Sequence, residues 1–241
     1  MWLKGDADIN APRHLPLLSP GDAMTVYETA RAKMIDCQLR PNKVTDERIL
    51  GAFARVQREL FVPEQLRGVA YVDEDLPLGR GRYLMEPMVA ARLLQAAMPD
   101  RKDTALVVGA AVGYEAALLA PLARSLVALE DDVELARLGR AALVDHRIAS
   151  VYYVEESLSA GHRQRAPYDV ILFGGAVAEI PSEIAAQLSE GGRMAAVFRP
   201  GQGVGRATLT TRTGGVLAQR VIFDAATPLL PGFVAKPAFV F

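Results

Sequence analysis

Hydrophobic positions along the chain follow two rhythms. From Thr25 to about Leu66 they recur at helical spacing: Met34, Cys37 and Leu39 share one side, Ile49, Leu50 and Phe53 follow, and Pro41-Asn42 separates the two segments. This predicts an N-terminal helical layer. After Pro63 the run DEDLPLGRGRYLMEP is rich in turn formers, and Pro87 suits the first turn of a helix with Met88, Val89, Leu93 and Leu94 on its apolar side. A loop is thus delivered to a helix start.

From Thr104 short β-rich runs alternate with helical ones: TALVVGA, YEAALLAPLA, SLVALE, DVELARLGRAAL, SVYYVE, YDVILFGGA, PSEIAAQL and GRMAAVF. Such alternation predicts βαβ units and a parallel sheet buried on both faces. RATLTTRT and VLAQRVIFD, joined by Gly214-Gly215, then read as an antiparallel hairpin at the sheet edge. The expected fold class is α/β with a mixed sheet. Residues 1–23, with two aspartates before any apolar stretch, three prolines and no continuous apolar centre, read as a disordered tail, and Met24 is a second candidate start. The expected domain is 24–241, divided into a helical and substrate-loop region (24–100) and an α/β core (101–241).

Composition narrows the partners. The 241 residues carry 27 basic and 28 acidic side chains, a formal charge of −1, so no global field draws nucleic acid or anionic lipid. No apolar run reaches the roughly 18 residues of a membrane span. One cysteine, Cys37, excludes an internal disulfide, and His14, His146 and His162 lie apart without metal-ligand spacing. A reducing, cytoplasmic compartment and no metal are expected.

The candidate chemistry centres on Gly109-Ala110-Ala111-Val112-Gly113, which follows the first strand of the alternating region and opens a helix. Glycine there lets a ligand approach the backbone closely. The same turn also serves without a ligand. Glu130 ends the second predicted strand 21 positions after Gly109. An acid at about 20 residues is where a ribose hydroxyl pair is held. Alternatively, Glu130, Asp131 and Asp132 simply favour the positive start of the next helix. His162 reads as a solvated loop residue, Cys37, Tyr71 and Tyr114 as packing, and Gly201, Gly203 and Gly205 as a turn before the hairpin.

The stretches MIDCQL, VTDERILGAFARVQRELFVPE, AYVDEDLPLG, GAAVGYEAALLA, VALEDDVELA, the pair Gly191-Gly192 and APYDVILFGGAVAEIPSEIAAQL carry a resemblance. Over Met34–Phe241, about six-sevenths of the chain, the sequence resembles the protein-L-isoaspartate O-methyltransferase family, a branch of the S-adenosylmethionine-dependent methyltransferases. The resemblance implies a Rossmann-like seven-stranded mixed sheet with helices on both faces. It implies S-adenosyl-L-methionine lying against Gly109, Ala111 and Gly113, with Glu130 on the ribose and the Ser157 turn near adenine. It also implies a protein or peptide partner whose isoaspartyl carboxylate meets the loop Gly79–Pro87. In that loop Tyr83-Leu84-Met85 stand where the family has Thr-Ile-Ser, so Met85 takes the place of the serine. Val107 replaces the family's acid before the turn, Ala111 its second glycine, and Glu156-Ser157-Leu158 its Gly-Asp-Gly.

Carboxyl methylation needs no general base, because a carboxylate is already ionised at pH 7, and positioning does most of the catalysis. Tyr83 and Arg82 are therefore the expected orienting groups. Glu86 beside that site repels a carboxylate unless Arg80 or Arg82 compensates. It either pairs with Arg82 four residues earlier or accepts a proton from a neutral nucleophile. An offshoot with another acceptor and a non-catalytic scaffold are the alternative functions.

Overall fold

The computed structural model describes residues 20–201 and 203–233. Helix α1 (Pro20–Met34) already includes the last four residues of the stretch read as a tail. The rest of that stretch lies outside the described residues. A π-helical turn, Ile35–Leu39, continues α1, with the Arg40 amide donating to the Ile35 carbonyl at 3.0 Å. The wider turn changes the helical phase. Met34, Ile35 and Leu39 point inward, whereas Cys37 is exposed, so its expected core role is corrected. Helix α2 (Glu47–Arg55) starts at Asp46, whose carboxylate accepts from the Arg48 amide, and buries Ile49, Leu50 and Phe53 as the spacing predicts.

A two-stranded hairpin, β1 (Leu76–Gly79) and β2 (Arg82–Leu84), leads into α3 (Pro87–Ala97), with Pro87 in its first turn. The α/β core follows as β3 (Thr104–Val108), α4 (Tyr114–Leu119), β4 (Ser125–Glu130), α5 (Val133–Asp145), β5 (Val151–Glu155), β6 (Tyr168–Val177), α6 (Ser182–Ala185), β7 (Leu188–Phe198), β8 (Gly205–Thr213) and β9 (Val216–Ala225). These strands form one seven-stranded sheet in the order β5-β4-β3-β6-β7-β8-β9. The pairings from β5 to β7 are parallel and the last two are antiparallel. Gly214 and Gly215, both at positive φ, turn the terminal hairpin as its sequence predicts.

Alternation along each central strand builds two cores. Ala105, Val107, Val170 and Leu172 face the layer that contains α2, α3 and α4. Leu106, Val108, Ile171 and Phe173 face the other side, which Ile184 of α6, Leu188, Leu230 and Phe233 cover. Because the chain leaves β3 toward β4 and β5 and later returns to β6 on β3's other side, the order reverses between β3 and β6. In open α/β sheets the crevice beyond the carboxyl ends of such strands is the ligand position.

Candidate functional site

At that crevice the backbone makes a tight turn. Gly109 and Ala110 both donate their amides to the Leu129 carbonyl at 2.9 Å. Gly109, Ala111 and Gly113 all hold positive φ, at 75°, 47° and 88°. Alanine in that region costs about 1–2 kcal/mol, so neighbours must hold the turn in place. Two do so. The Ala111 amide donates to Glu130 Oε2 at 2.8 Å, and the Tyr153 hydroxyl, on β5, donates to the Ala111 carbonyl. Tyr153 is a member of the site that sequence reasoning missed; an aromatic residue two strands from the turn carries no motif.

Glu130, at the end of β4, is fully buried. Its Oε1 accepts from Arg82 Nη2 (2.8 Å) and from the Asp131 and Asp132 amides (3.0 and 3.1 Å); its Oε2 accepts from Arg82 Nε (3.3 Å) as well as Ala111. Five donors meet a carboxylate with about four lone-pair positions. Arg82 Nη2 also reaches Asp131 at 2.5 Å, and Arg80 pairs with Asp132 at 3.1 Å. Burial raises the Asp131 pKa, with the Glu130 contact adding to the rise and Arg82 opposing it. The reading of the three acids as helix-start residues holds for Asp132, which caps α5 by accepting from the Glu134 and Leu135 amides.

The expected Arg82–Glu86 pair does not form. Arg82 is only 3% exposed and committed to Glu130 and Asp131, so neither it nor Arg80 compensates Glu86. Glu86 stands half-buried at the start of α3, where its amide donates to Asp75 at 2.8 Å. Burial, with Asp73 and Asp75 nearby, pushes its carboxyl up to about 7 against the pull of Arg58. Beside it, Met85 is 1% exposed and lies in the core, while Tyr83 is 37% exposed.

Under this loop lies a second element that the sequence did not single out. Arg58 is fully buried, donates to the Ala70 carbonyl (2.7 Å) and the Met85 carbonyl (2.8 Å), and lies 4.9 Å over the Tyr114 ring. Glu115 is buried in the same region, and desolvation lifts its carboxyl to about 7. Tyr71 and Tyr114 are packed, as expected.

The remaining candidates divide. Ser157 is exposed, its hydroxyl 3.2 Å from that of Ser159, and among the described residues no hydrogen bond ties it to Glu130. His162 is not solvated: it is 2% exposed, with Nδ1 3.0 Å from Glu156 and its amide donating to Gln187. The cause is tertiary, since Tyr168 and Gln187 close over it from β6 and the turn before β7. Val107 is buried in the core. Leu230, also missed, covers the turn itself: a side-chain carbon at Gly109 would lie 2.9 Å from its Cδ2. Its backbone is tied to β6 through the Leu230 amide and the Ala176 carbonyl at 2.8 Å.

Residues 29–219 match the family described as protein-L-isoaspartate(D-aspartate) O-methyltransferase. A protein-L-isoaspartate O-methyltransferase of Koribacter versatilis is 40% identical over 171 residues, 71% of this chain and 77% of its own. One of Methanoculleus marisnigri is 34% identical over 186 residues, 77% of this chain and 84% of its own. Among solved structures, a protein-L-isoaspartate O-methyltransferase aligns with a TM-score of 0.74 at 22% identity, covering 85% of this chain and 67% of the other. A Plasmodium falciparum structure described as a putative protein of that name in complex with S-adenosyl-L-homocysteine aligns with a TM-score of 0.69 at 15% identity, covering 87% of this chain and 97% of the other. Both share the fold.

Proposed function

The chain belongs to the protein-L-isoaspartate(D-aspartate) O-methyltransferase family, and from that premise we propose that it transfers a methyl group from S-adenosylmethionine to the carboxylate of isoaspartyl residues in proteins. One observation carries this reading: the acceptor loop is bonded, through Arg82, to Glu130, the acid at the end of β4 where the ribose of the cofactor is proposed to sit. Donor and acceptor elements therefore meet at one point, beyond the carboxyl ends of β3 and β4.

The residues fit the cofactor in chemistry. Glu130 is an ionisable acceptor at the strand end, and Gly109 and Gly113 bound a turn in which Ala111 adds only a methyl. When bound, S-adenosylmethionine supplies an electrophilic methyl on a sulfonium. What the chain contributes is placement. Tyr83, partly exposed beside the buried Met85, offers a hydroxyl to orient the acceptor carboxylate, which needs no base. Ser157, exposed two residues beyond β5, is the polar group proposed for the adenine side. A reducing compartment accords with one exposed free thiol, Cys37. Among the described residues, no helix is long and apolar enough to cross a membrane.

A specific observation favours a second acceptor class. Among the described residues no ion pair joins Glu86 to an arginine; it stands near Asp73 and Asp75, and burial with those acids pushes its carboxyl up to about 7 against the pull of Arg58. That arrangement disfavours an anion and can take a proton from a neutral oxygen or nitrogen nucleophile. Incubation with methyl-labelled cofactor and an isoaspartyl peptide, or its normal-aspartyl twin, separates the readings. Label on the isoaspartyl peptide alone is expected. Label on neither, with cofactor binding intact, overturns the isoaspartyl assignment and leaves the second class.

A further inference from the structure

The crevice has the right chemistry for a nucleoside, yet the chain's own atoms fill it. Glu130 is fully buried and its acceptor positions are saturated, two of the five donors coming from the Arg82 guanidinium. The other three are backbone amides fixed by the turn and by the start of α5. Ribose hydroxyls can reach this carboxylate only by displacing its one side-chain donor.

The hairpin that carries Arg82 is held at its two ends by separate sets of contacts. Its tip, Gly79-Arg80-Gly81, has positive φ at all three residues, and the tip and the adjoining Arg82 are held by three ion pairs, Arg80 to Asp132 and Arg82 to both Glu130 and Asp131. Its far end is tied down separately, through the Glu86 amide on Asp75 and Arg58 on the Met85 carbonyl. The tip also touches a second piece. A side-chain carbon at Gly81 would lie 3.0 Å from Pro231, whose neighbour Leu230 covers Gly109 and Gly175. Hairpin tip and C-terminal segment thus form one seam over the turn and the carboxylate.

We propose that Arg82 is an internal occupant of the nucleoside site: cofactor binding and the seated hairpin exclude one another, and cofactor entry lifts the acceptor loop. This inference rests on the methyltransferase reading. It makes binding ordered. An acceptor meets a loop freed from the sheet only after the nucleoside has taken Glu130. The binding free energy of the nucleoside is reduced by whatever the Arg82 contacts contribute, because a ligand shifts an equilibrium only by its differential affinity for the two states.

Titration of S-adenosylhomocysteine into the wild-type chain, Arg82→Met and Arg82→Lys by calorimetry tests this directly. Arg82→Met is expected to bind at least tenfold more tightly than wild type, with Arg82→Lys between them. Hydrogen exchange supplies a second readout that needs no variant. The amides of residues 79–84 in the wild-type chain are expected to exchange faster when the ligand is saturating than without it, whereas a merely structural pair predicts slower exchange. Wild-type binding with Arg82→Met equal or weaker, or slower hairpin exchange on binding, overturns this inference and leaves the methyltransferase reading standing. Binding by neither the wild type nor Arg82→Met overturns both.

Discussion

Arg58 and Met85 are joined inside the core: the guanidinium donates to the Met85 carbonyl at 2.8 Å from a fully buried position, 27 residues away in sequence. With its second bond to the Ala70 carbonyl, Arg58 fixes both the segment that enters β1 and the one that leaves β2. The acceptor loop is therefore anchored from below by Arg58, together with the Asp75 carboxylate that accepts from the Glu86 amide.

Replacing Arg58 with methionine keeps the length and removes both donors. Hydrogen bonds from charged groups contribute about 1.5–3 kcal/mol each, so roughly 3 kcal/mol of stability is expected to go, which lowers Tm by about 6–12 °C. Urea unfolding and a thermal melt read the two numbers. Loss of under about 1 kcal/mol would mean that the loop is held elsewhere.

Met85→Ser places the family's hydroxyl at a position that is 1% exposed. Removing a buried methionine side chain costs about 2–5 kcal/mol. The variant is expected to be less stable by that order and to transfer more methyl to an isoaspartyl peptide than the wild type, read as kcat/KM. Unchanged transfer in the folded variant would show that the loop no longer uses a hydroxyl there.

Glu115 connects the same region to pH. Its folded carboxyl is near 7, against 4.5 as its ordinary value, and desolvation is the cause. The folded state therefore binds more protons between those values, and stability falls as pH rises from about 4.5 to 7. Glu86 shifts in the same direction over the same window, though its partial exposure weakens its contribution. Glu115→Gln is expected to be more stable than wild type by on the order of 2 kcal/mol at pH 8 and to show no gain at pH 4. Unfolding curves at the two pH values decide it; an equal gain at both removes the titration argument.

Ala111→Gly tests the strain in the turn. A φ of 47° is unfavourable for alanine and open to glycine. After the added freedom of the unfolded chain, a net stabilisation of about 0.5–1 kcal/mol is expected. Removal of the methyl also widens the turn, so S-adenosylhomocysteine is expected to bind more tightly than to the wild type. A loss of stability would instead indicate that the methyl fills packing space.

Much of the architecture is legible in the sequence. The short β-rich runs TALVVGA and YDVILFGGA, the helical spacing of Ile49, Leu50 and Phe53, and Gly214-Gly215 between two strand-like runs each express a local preference that packing reinforced. The distance of Glu130 from Gly109 identifies it because both mark strand ends. Cys37 and His162 depart from that reading for two other reasons. A π turn after Met34 rotated Cys37 outward, a change that heptad or 3.6-residue spacing does not encode. His162 was buried by Tyr168 and Gln187, residues it meets only after the sheet forms.

The sequence by itself determined the strands, the glycine turn, the acid at the end of β4 and the family, because each depends on residue type at short or fixed spacing. Tertiary structure alone decided what those groups touch. Arg82 lies four residues from Glu86 and 48 from Glu130, and local spacing favours the nearer carboxylate. The hairpin aims the guanidinium instead at the buried end of β4, where an unpaired carboxylate is far costlier than one that is half-exposed. Leu230 reaches Gly109 across more than a hundred residues for a similar reason: the open end of the β3–β6 crevice is apolar space that some part of the chain must fill.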